Sequence, residues 1–229
     1  MIVQLRLLCV LFFLFGGLTL GESSLAGAEG FTVCKGIPSY EDSGLPVAPL
    51  IILDPGHGGT DEGAKVQSVM EKRITLTTAL MTKKQLEALG YRVIMTRSRD
   101  VFLTLPRRVA IANKAKAALF VSIHYNSSPN ASAKGIEIYY FDSKGGDRMR
   151  DSKRLANTIL HQVLDQTEAH SRGVRRGNFY VVRETSMPAV LVEGGFMTNY
   201  DERFRLKDRK YLEKIAKGIA QGVHNYLNS

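Results

Sequence analysis

The sequence has few of the features that mark disulfide-stapled, zinc-finger or nucleic-acid-binding proteins. It contains 2 cysteines in 229 residues. Cys9 lies in an apolar run at the amino terminus and Cys34 stands alone after it, so we expect no disulfide within the mature chain and an unreactive thiol at Cys34. Zinc-finger spacing, long lysine or arginine runs and an aromatic RNA-binding signature are also missing. We therefore expect no nucleic-acid partner.

The composition is that of one medium-sized soluble domain with a basic surface. Apolar residues make up 44% and charged residues 23% of the chain, which excludes wholesale disorder and a polytopic membrane protein. There are 31 lysines and arginines against 22 acidic residues, a net charge of +9. This excess favours an anionic partner, either nucleic acid, anionic lipid or an acidic polymer such as a cell wall, and does not choose among them. An ordinary solvated basic surface explains it equally well.

No run in the sequence is long enough to be a standard membrane span. The longest apolar run covers residues 7–20, whereas a spanning helix needs about 20 residues. The run follows Arg6 and precedes small residues at Ala26 and Ala28, which predicts a signal peptide over residues 1–28. The alternative is an uncleaved anchor. We expect an exported protein of the periplasm or the extracellular wall, with no stable membrane span after cleavage.

The rest of the chain predicts a linker followed by a single α/β domain. Residues 29–48 are rich in Gly, Pro and Ser and indicate a linker, and residues 49–229 form the domain. The patterns predict strands at 50–54, 91–96, 118–124, 135–141, 178–184 and 188–195, helices at 71–89, 107–117, 149–167 and 207–227, and a turn at Gly173. This alternation predicts a mostly parallel, twisted sheet of about six strands with helices on both faces.

Three predicted strands end in residues that can carry chemistry. His57 follows the first strand, His124 ends the third and Glu193 ends the last. In open α/β sheets ligands bind beyond the carboxyl ends of the strands, so we expect these side chains to meet. Two histidines and one carboxylate suit a catalytic Zn²⁺, because three protein ligands leave a fourth position free.

Spacing alone leaves the third ligand open. Glu71, at the start of the first helix, is a candidate, and Asp54, Asp61 and Glu62 compete with it. Glu193 follows an apolar strand, where an unpaired carboxylate is costly, and it suits a general base. The chain has neither the H-E-x-x-H motif of many zinc proteases nor the G-x-S-x-G elbow of serine hydrolases.

These residues lie in stretches that resemble the zinc-dependent N-acetylmuramoyl-L-alanine amidases of the amidase type 3 family. The matching stretches are IILDPGHGGTDEGA (51–64), MEKRITL (70–76), GYRVIMTRSRD (90–100), LPRRVAIANKAKAALFVSIHYNS (105–127), KGIEIYYF (134–141), RGVRRGNFYVVRETSMPAVLVEGGFMTNYDE (172–202) and the closing helix. They follow the family order and cover nearly everything from residue 50 onward. The resemblance implies a phosphorylase/hydrolase-like fold and one Zn²⁺ per chain.

The resemblance also implies residue roles and a reaction. His57, Glu71 and His124 occupy the metal-ligand positions, and Glu193 occupies that of the catalytic carboxylate. Asn126 is similar to the family's active-site asparagine, which implies a supporting or substrate-binding role. The family cleaves the amide between the lactyl group of N-acetylmuramic acid and the L-alanine of the peptidoglycan stem peptide.

Two further positions bear on regulation and stability. Division-associated family members carry an inserted helix after the fourth strand that plugs the zinc site, but here only residues 142–150 follow that strand. We therefore expect no plug, no activator protein and a monomer. Arg108 matches a family arginine, for which we predict an ion pair on the helix face.

Two other functions stay open at this point. One is a zinc amidohydrolase or carboxypeptidase that acts on another peptide or acyl substrate. The other is a non-catalytic wall-binding protein on an amidase scaffold. The complete set of two histidines and two glutamates argues against the binding protein, which would not need a general base.

Overall fold

The computed structural model describes residues 47–142 and 145–229. The predicted signal peptide (1–28) and nearly all of the predicted linker (29–48) lie outside the described residues. Within the described ranges, no helix has both the length and the apolar character needed to cross a membrane.

The described chain alternates strands and helices for most of its length. The elements are β1 (Leu50–Pro55), β2 (Lys65–Val66), β3 (Val69–Met70), α1 (Glu71–Ala88), β4 (Arg92–Met95), α2 (Leu105–Ala115), β5 (Leu119–Asn126), β6 (Ile136–Tyr140), α3 (Asp147–Thr167), β7 (Ser171–Arg176), α4 (Tyr180–Glu184), β8 (Ala189–Phe196), α5 (Tyr200–Leu206) and α6 (Arg209–Leu227). Most of the predicted strands and helices thus form, with small shifts at their boundaries.

Six of the strands form one mostly parallel sheet, as predicted. Its order is β4-β1-β5-β8-β6-β7. Strands β4, β1, β5 and β8 run parallel, β6 is antiparallel to β8, and β7 is parallel to β6. The four parallel strands therefore present their carboxyl ends along one edge. Strands β2 and β3 form a separate short antiparallel ribbon just before α1.

Helices cover both faces of the sheet, which is also as predicted. Leu53 and Val121 point into a core formed with α1, α3 and α6. Ile52 and Phe120 point the other way, into a smaller core with α2 and α4. Successive strand residues face opposite sides, so strands covered on both faces need an unbroken apolar run. That requirement explains the sequences LIIL in β1 and ALFVSI around β5.

Two predicted elements are wrong. Residues 178–184 were expected as a strand, but α4 occupies most of this range and places Val181 and Val182 in the smaller core. A short apolar run does not distinguish a strand from a buried helical turn. Gly173, predicted in a turn, lies within edge strand β7. Val174 is the β7 residue that packs against the larger core, so the strand has almost no apolar pattern.

Candidate metal centre

Three of the predicted residues come together at the carboxyl edge of the sheet. His57 lies in the loop after β1, Glu71 is the first residue of α1, and His124 lies near the end of β5. One ligand atom from each lies within 4.8 Å of the others. Glu71 Oε1 is 3.1 Å from His57 Nε2 and 2.9 Å from His124 Nδ1. Among the described residues, this is the cluster that could hold a metal ion.

The loop after β1 has an unusual backbone that brings the two imidazoles together. His57 has φ 60°, in the left-handed region that non-glycine residues seldom adopt. At Gly56 a Cβ atom would lie 2.2 Å from His124 Cε1. Only glycine leaves space for the His124 ring at this position. The two rings meet edge to face, with centroids 4.8 Å apart.

Glu71 is held in its ionised form by the groups around it. Burial opposes ionisation, but hydrogen bonds and the charges of His124 and His57 outweigh it and hold the pKa of Glu71 well below its usual range. The backbone N–H of Ala64 donates to Oε2 at 2.9 Å and that of Tyr125 to Oε1 at 3.1 Å. A fixed, ionised carboxylate beside two imidazoles is a suitable ligand set for Zn²⁺.

The competing acids near the loop have other partners. Asp61 Oδ2 lies 2.9 Å from His57 Nδ1, on the side of the ring that faces away from Glu71. Such a carboxylate fixes the orientation of a metal-binding imidazole. Burial lowers the pKa of His57, but Glu71 and Asp61 together outweigh it and the net pKa is raised. Glu62 pairs with Lys65 at 3.0 Å.

Asp54, the remaining alternative, forms a buried ion pair with Arg108. The two side chains are 1% and 3% exposed, and Arg108 Nη1 lies 2.8 Å from Asp54 Oδ1. Arg108 also donates to the carbonyl oxygens of Pro55 and His57, each at 2.7 Å. The predicted ion pair of Arg108 therefore exists, but it is buried between α2 and β1 instead of lying on a helix face. It anchors the loop that carries His57.

Glu193 lines the same cleft as His57, Glu71 and His124. It is the Cα partner of His124 in the pairing of β8 with β5. Both line a cavity of about 330 Å³, together with Asn126 and the apolar side chain of Phe179. Glu193 Oε2 is buried and has no hydrogen-bond partner among the described residues. Burial, and then the negative charges of Glu71 and Glu137, raise the pKa of Glu193 well above its ordinary value.

Asn126 lines the cavity but stands outside the cluster. Its Nδ2 donates to Glu137 Oε1 at 2.7 Å, and its Oδ1 accepts from the backbone N–H of Ser127 at 2.9 Å. The sequence analysis missed Glu137, which is 2% exposed and also pairs with Arg172 and Arg175. The alternation of apolar and polar residues over 135–141 is typical of a strand with one solvated face, which does not single out Glu137. No local signal reveals its arginine partners.

A family profile and a curated relative each match most of this chain. The profile of the Amidase_3 family, described as N-acetylmuramoyl-L-alanine amidase, matches residues 51–225. The N-acetylmuramoyl-L-alanine amidase AmiC of Neisseria meningitidis serogroup B is 35% identical over 221 residues, covering 79% of this chain. The match covers 53% of AmiC, so this chain spans about half the length of that relative.

Solved structures match the fold over nearly the same range. The catalytic domain of CwlV from Bacillus (Paenibacillus) polymyxa var. colistinus is 39% identical, with a TM-score of 0.73 over 79% of this chain and 98% of CwlV. The CwlD amidase from Clostridioides difficile, solved in complex with the GerS lipoprotein, is 33% identical. Its TM-score is 0.73 over 79% of this chain and 98% of CwlD.

Proposed function

Because this chain belongs to the Amidase_3 family of N-acetylmuramoyl-L-alanine amidases, we propose that it is a zinc-dependent peptidoglycan hydrolase. It cleaves the amide between the lactyl group of N-acetylmuramic acid and the L-alanine of the stem peptide. The observation that carries this proposal is the shared cleft, where the cluster of His57, Glu71 and His124 faces Glu193.

The donor set of the cluster fits one Zn²⁺ per chain. His57 and His124 offer imidazole nitrogens and Glu71 offers an ionised carboxylate oxygen, which are preferred zinc ligands. Asp61 fixes the ring of His57 from the far side. When bound, Zn²⁺ would supply Lewis acidity, which polarises a carbonyl group and lowers the pKa of water towards neutral.

Glu193 is the general base in this proposal. As a water oxygen attacks the scissile carbonyl carbon, the Glu193 carboxylate takes one of the water protons. It then returns that proton to the alanine nitrogen while the carbon–nitrogen bond breaks. No covalent bond to the protein is needed. A raised pKa and an oxygen without a protein partner suit a group that both accepts and donates a proton.

Asn126 has a supporting role in this cleft. Its amide is fixed from both ends by Glu137 and the backbone of Ser127. A fixed amide at the wall of the cavity can orient the peptide part of the substrate, since a rigid polar group loses little freedom when it binds.

The exported form acts as a monomer without an activator in this proposal. Only residues 141–146 join β6 to α3, which leaves no room for an inserted plug helix of several turns. The basic net charge of +9 suits an anionic wall polymer. The CwlD amidase was solved in complex with the GerS lipoprotein, so the sacculus assay below decides whether this chain acts without a partner protein.

Digestion of purified sacculi tests this function. Chain lacking residues 1–28 and loaded with Zn²⁺ should release stem peptides that begin with L-alanine and leave intact glycan strands, identified by mass spectrometry. A chelator should abolish release, and one equivalent of Zn²⁺ should restore it after the chelator has been removed. Loss of terminal D-alanine alone would show a carboxypeptidase instead. Binding of the chain to sacculi without any release would show a wall-binding protein, and release only after adding another protein would contradict independence from an activator.

A further inference from the structure

Beside the cleft, strand β7 carries two arginines, Arg172 and Arg175, that the proposed reaction does not use. Glu137 on β6 is the Cα partner of Glu193 on β8, and its carboxylate contacts Asn126 on the cleft wall. Arg172 Nε lies 2.8 Å and Arg175 Nε 3.1 Å from the opposite carboxylate oxygen, Oε2. We call Arg172 and Arg175 the arginine pair. One buried carboxylate thus separates the arginine pair from the cleft.

The arginine pair has binding capacity that the described protein does not use. Its side chains are 29% exposed for Arg172 and 47% for Arg175. Within residues 47–142 and 145–229, both side chains donate their hydrogen bonds from Nε. The terminal amino groups of both guanidiniums therefore stay available to a ligand.

The local charge favours an anion. Two guanidiniums share one oxygen of Glu137, so the three groups carry a net charge of +1. Like charges held this close repel each other until another anion compensates them. The planar fork of an arginine matches a carboxylate, which can accept two parallel N–H bonds. A carboxylate is therefore the group that this surface recognises best.

The proposed substrate has a carboxylate at a suitable place. The second stem residue, D-isoglutamate, is linked through its side chain and keeps a free α-carboxylate, which amidation converts to D-isoglutamine. Two extended residues span at most about 7 Å, so this group stays close to the scissile amide. Glu137 contacts both Asn126 on the cleft wall and the arginine pair, so the arginine pair lies next to the cleft on the Asn126 side.

We propose that Arg172 and Arg175 form a carboxylate subsite that selects stem peptides with D-isoglutamate over those with D-isoglutamine. This inference rests on the proposed amidase function. It adds to that function a part of the substrate that the chain recognises away from the scissile bond, the α-carboxylate of the second stem residue.

The test compares two kinds of soluble, uncross-linked glycan strands that differ only in this amidation. At low salt the wild-type chain should cleave the isoglutamate strands with about tenfold higher kcat/KM, the usual effect of a charge-assisted hydrogen bond at a partly exposed site. The difference should lie mainly in KM, because the contact is present before the reaction, and it should shrink as salt is added.

Three variants separate the subsite from general charge effects. Arg175→Gln leaves the contact of Arg172 with Glu137 intact and should reduce the preference to within about twofold. Arg175→Lys keeps the charge and should retain a smaller preference. Arg176→Gln is the matched control, because Arg176 is the next residue of β7, is 74% exposed, and pairs with Asp142 instead of Glu137. This control should keep the wild-type preference.

The outcomes distinguish the subsite from the proposed function. Equal cleavage of both strands by the wild-type chain, or an unchanged preference in Arg175→Gln, overturns the subsite while the amidase function stands. If neither strand type is cleaved, the amidase function is wrong. Binding of the two strand types to Glu193→Gln needs no turnover and decides the subsite independently. Equal binding there overturns it.

Discussion

Replacing Glu193 by glutamine should separate catalysis from metal binding in this cleft. The change keeps the size of the side chain and removes its ability to accept a proton. Glu193 lies outside the cluster of His57, Glu71 and His124, so the metal content should stay at one equivalent. Turnover of sacculi should fall by roughly 10²–10⁴-fold, the usual contribution of a general base.

The same variant should change stability in a pH-dependent way. The folded-state pKa of Glu193 is raised by burial and by nearby carboxylates, whereas its unfolded value is about 4.3. Below the unfolded value the group is neutral in both states and costs nothing. As pH rises above it, the wild-type chain loses about 1.4 kcal/mol for each pH unit up to the folded value. The glutamine variant does not have this loss.

The stability assay therefore uses the metal-free chain. At pH 7 we expect the melting temperature of Glu193→Gln to be higher than that of the wild type, by about 2–4 °C for each kcal/mol that the wild type loses. The advantage should vanish below about pH 4. Thermal melts between pH 3.5 and 8 measure it.

Glu71→Gln is the matched control, because it alters a carboxylate in the same cleft that belongs to the cluster. It should lose metal and activity together. Near-normal turnover in Glu193→Gln would refute its role as general base. Loss of zinc from Glu193→Gln would instead make it a ligand, and Glu71 would become the first candidate for the base.

Three further substitutions test the surroundings of the cluster. Asp61→Asn should weaken zinc affinity by about 10–100-fold, measured by competition with a chelator, because it removes the carboxylate that orients a ligand histidine; unchanged affinity would contradict this role. Arg108→Met should lower the free energy of unfolding by about 3–5 kcal/mol in denaturant titrations, since it leaves the carboxylate of Asp54 buried without its cation. Gly56→Ala should cost about 10²-fold in activity, because its Cβ would occupy the position of the His124 ring; a crystal structure with the ring unmoved would refute that reason.

Strand ends were the most informative feature for the site. His57, His124 and Glu193 each follow or end an apolar run in the sequence, and parallel strands bring their carboxyl ends to one edge. The sequence therefore predicted that these side chains meet. The six-strand sheet and its helical layers followed from the same alternation, because apolar periodicity is a local property.

The third member of the cluster depended on the tertiary structure. Glu71, Asp54, Asp61 and Glu62 all lie within a short stretch, so sequence distance did not separate them. The left-handed backbone at His57 and the start of α1 direct one carboxylate to both imidazoles. Asp54, Asp61 and Glu62 instead pair with Arg108, His57 and Lys65, respectively. Resemblance to the family pointed to Glu71, but spacing did not.

The sequence by itself determined the fold class, the layered core and the meeting of His57, His124 and Glu193 at the strand ends, because these depend on local patterns and on the shared direction of parallel strands. Only the tertiary structure decided that residues 180–184 are helical and that β7 is a strand, since both depend on which surface they pack against. It also decided that Glu137 joins Asn126 to Arg172 and Arg175. Those partners are far apart in the chain, and charged pairs across a sheet leave no periodic signal.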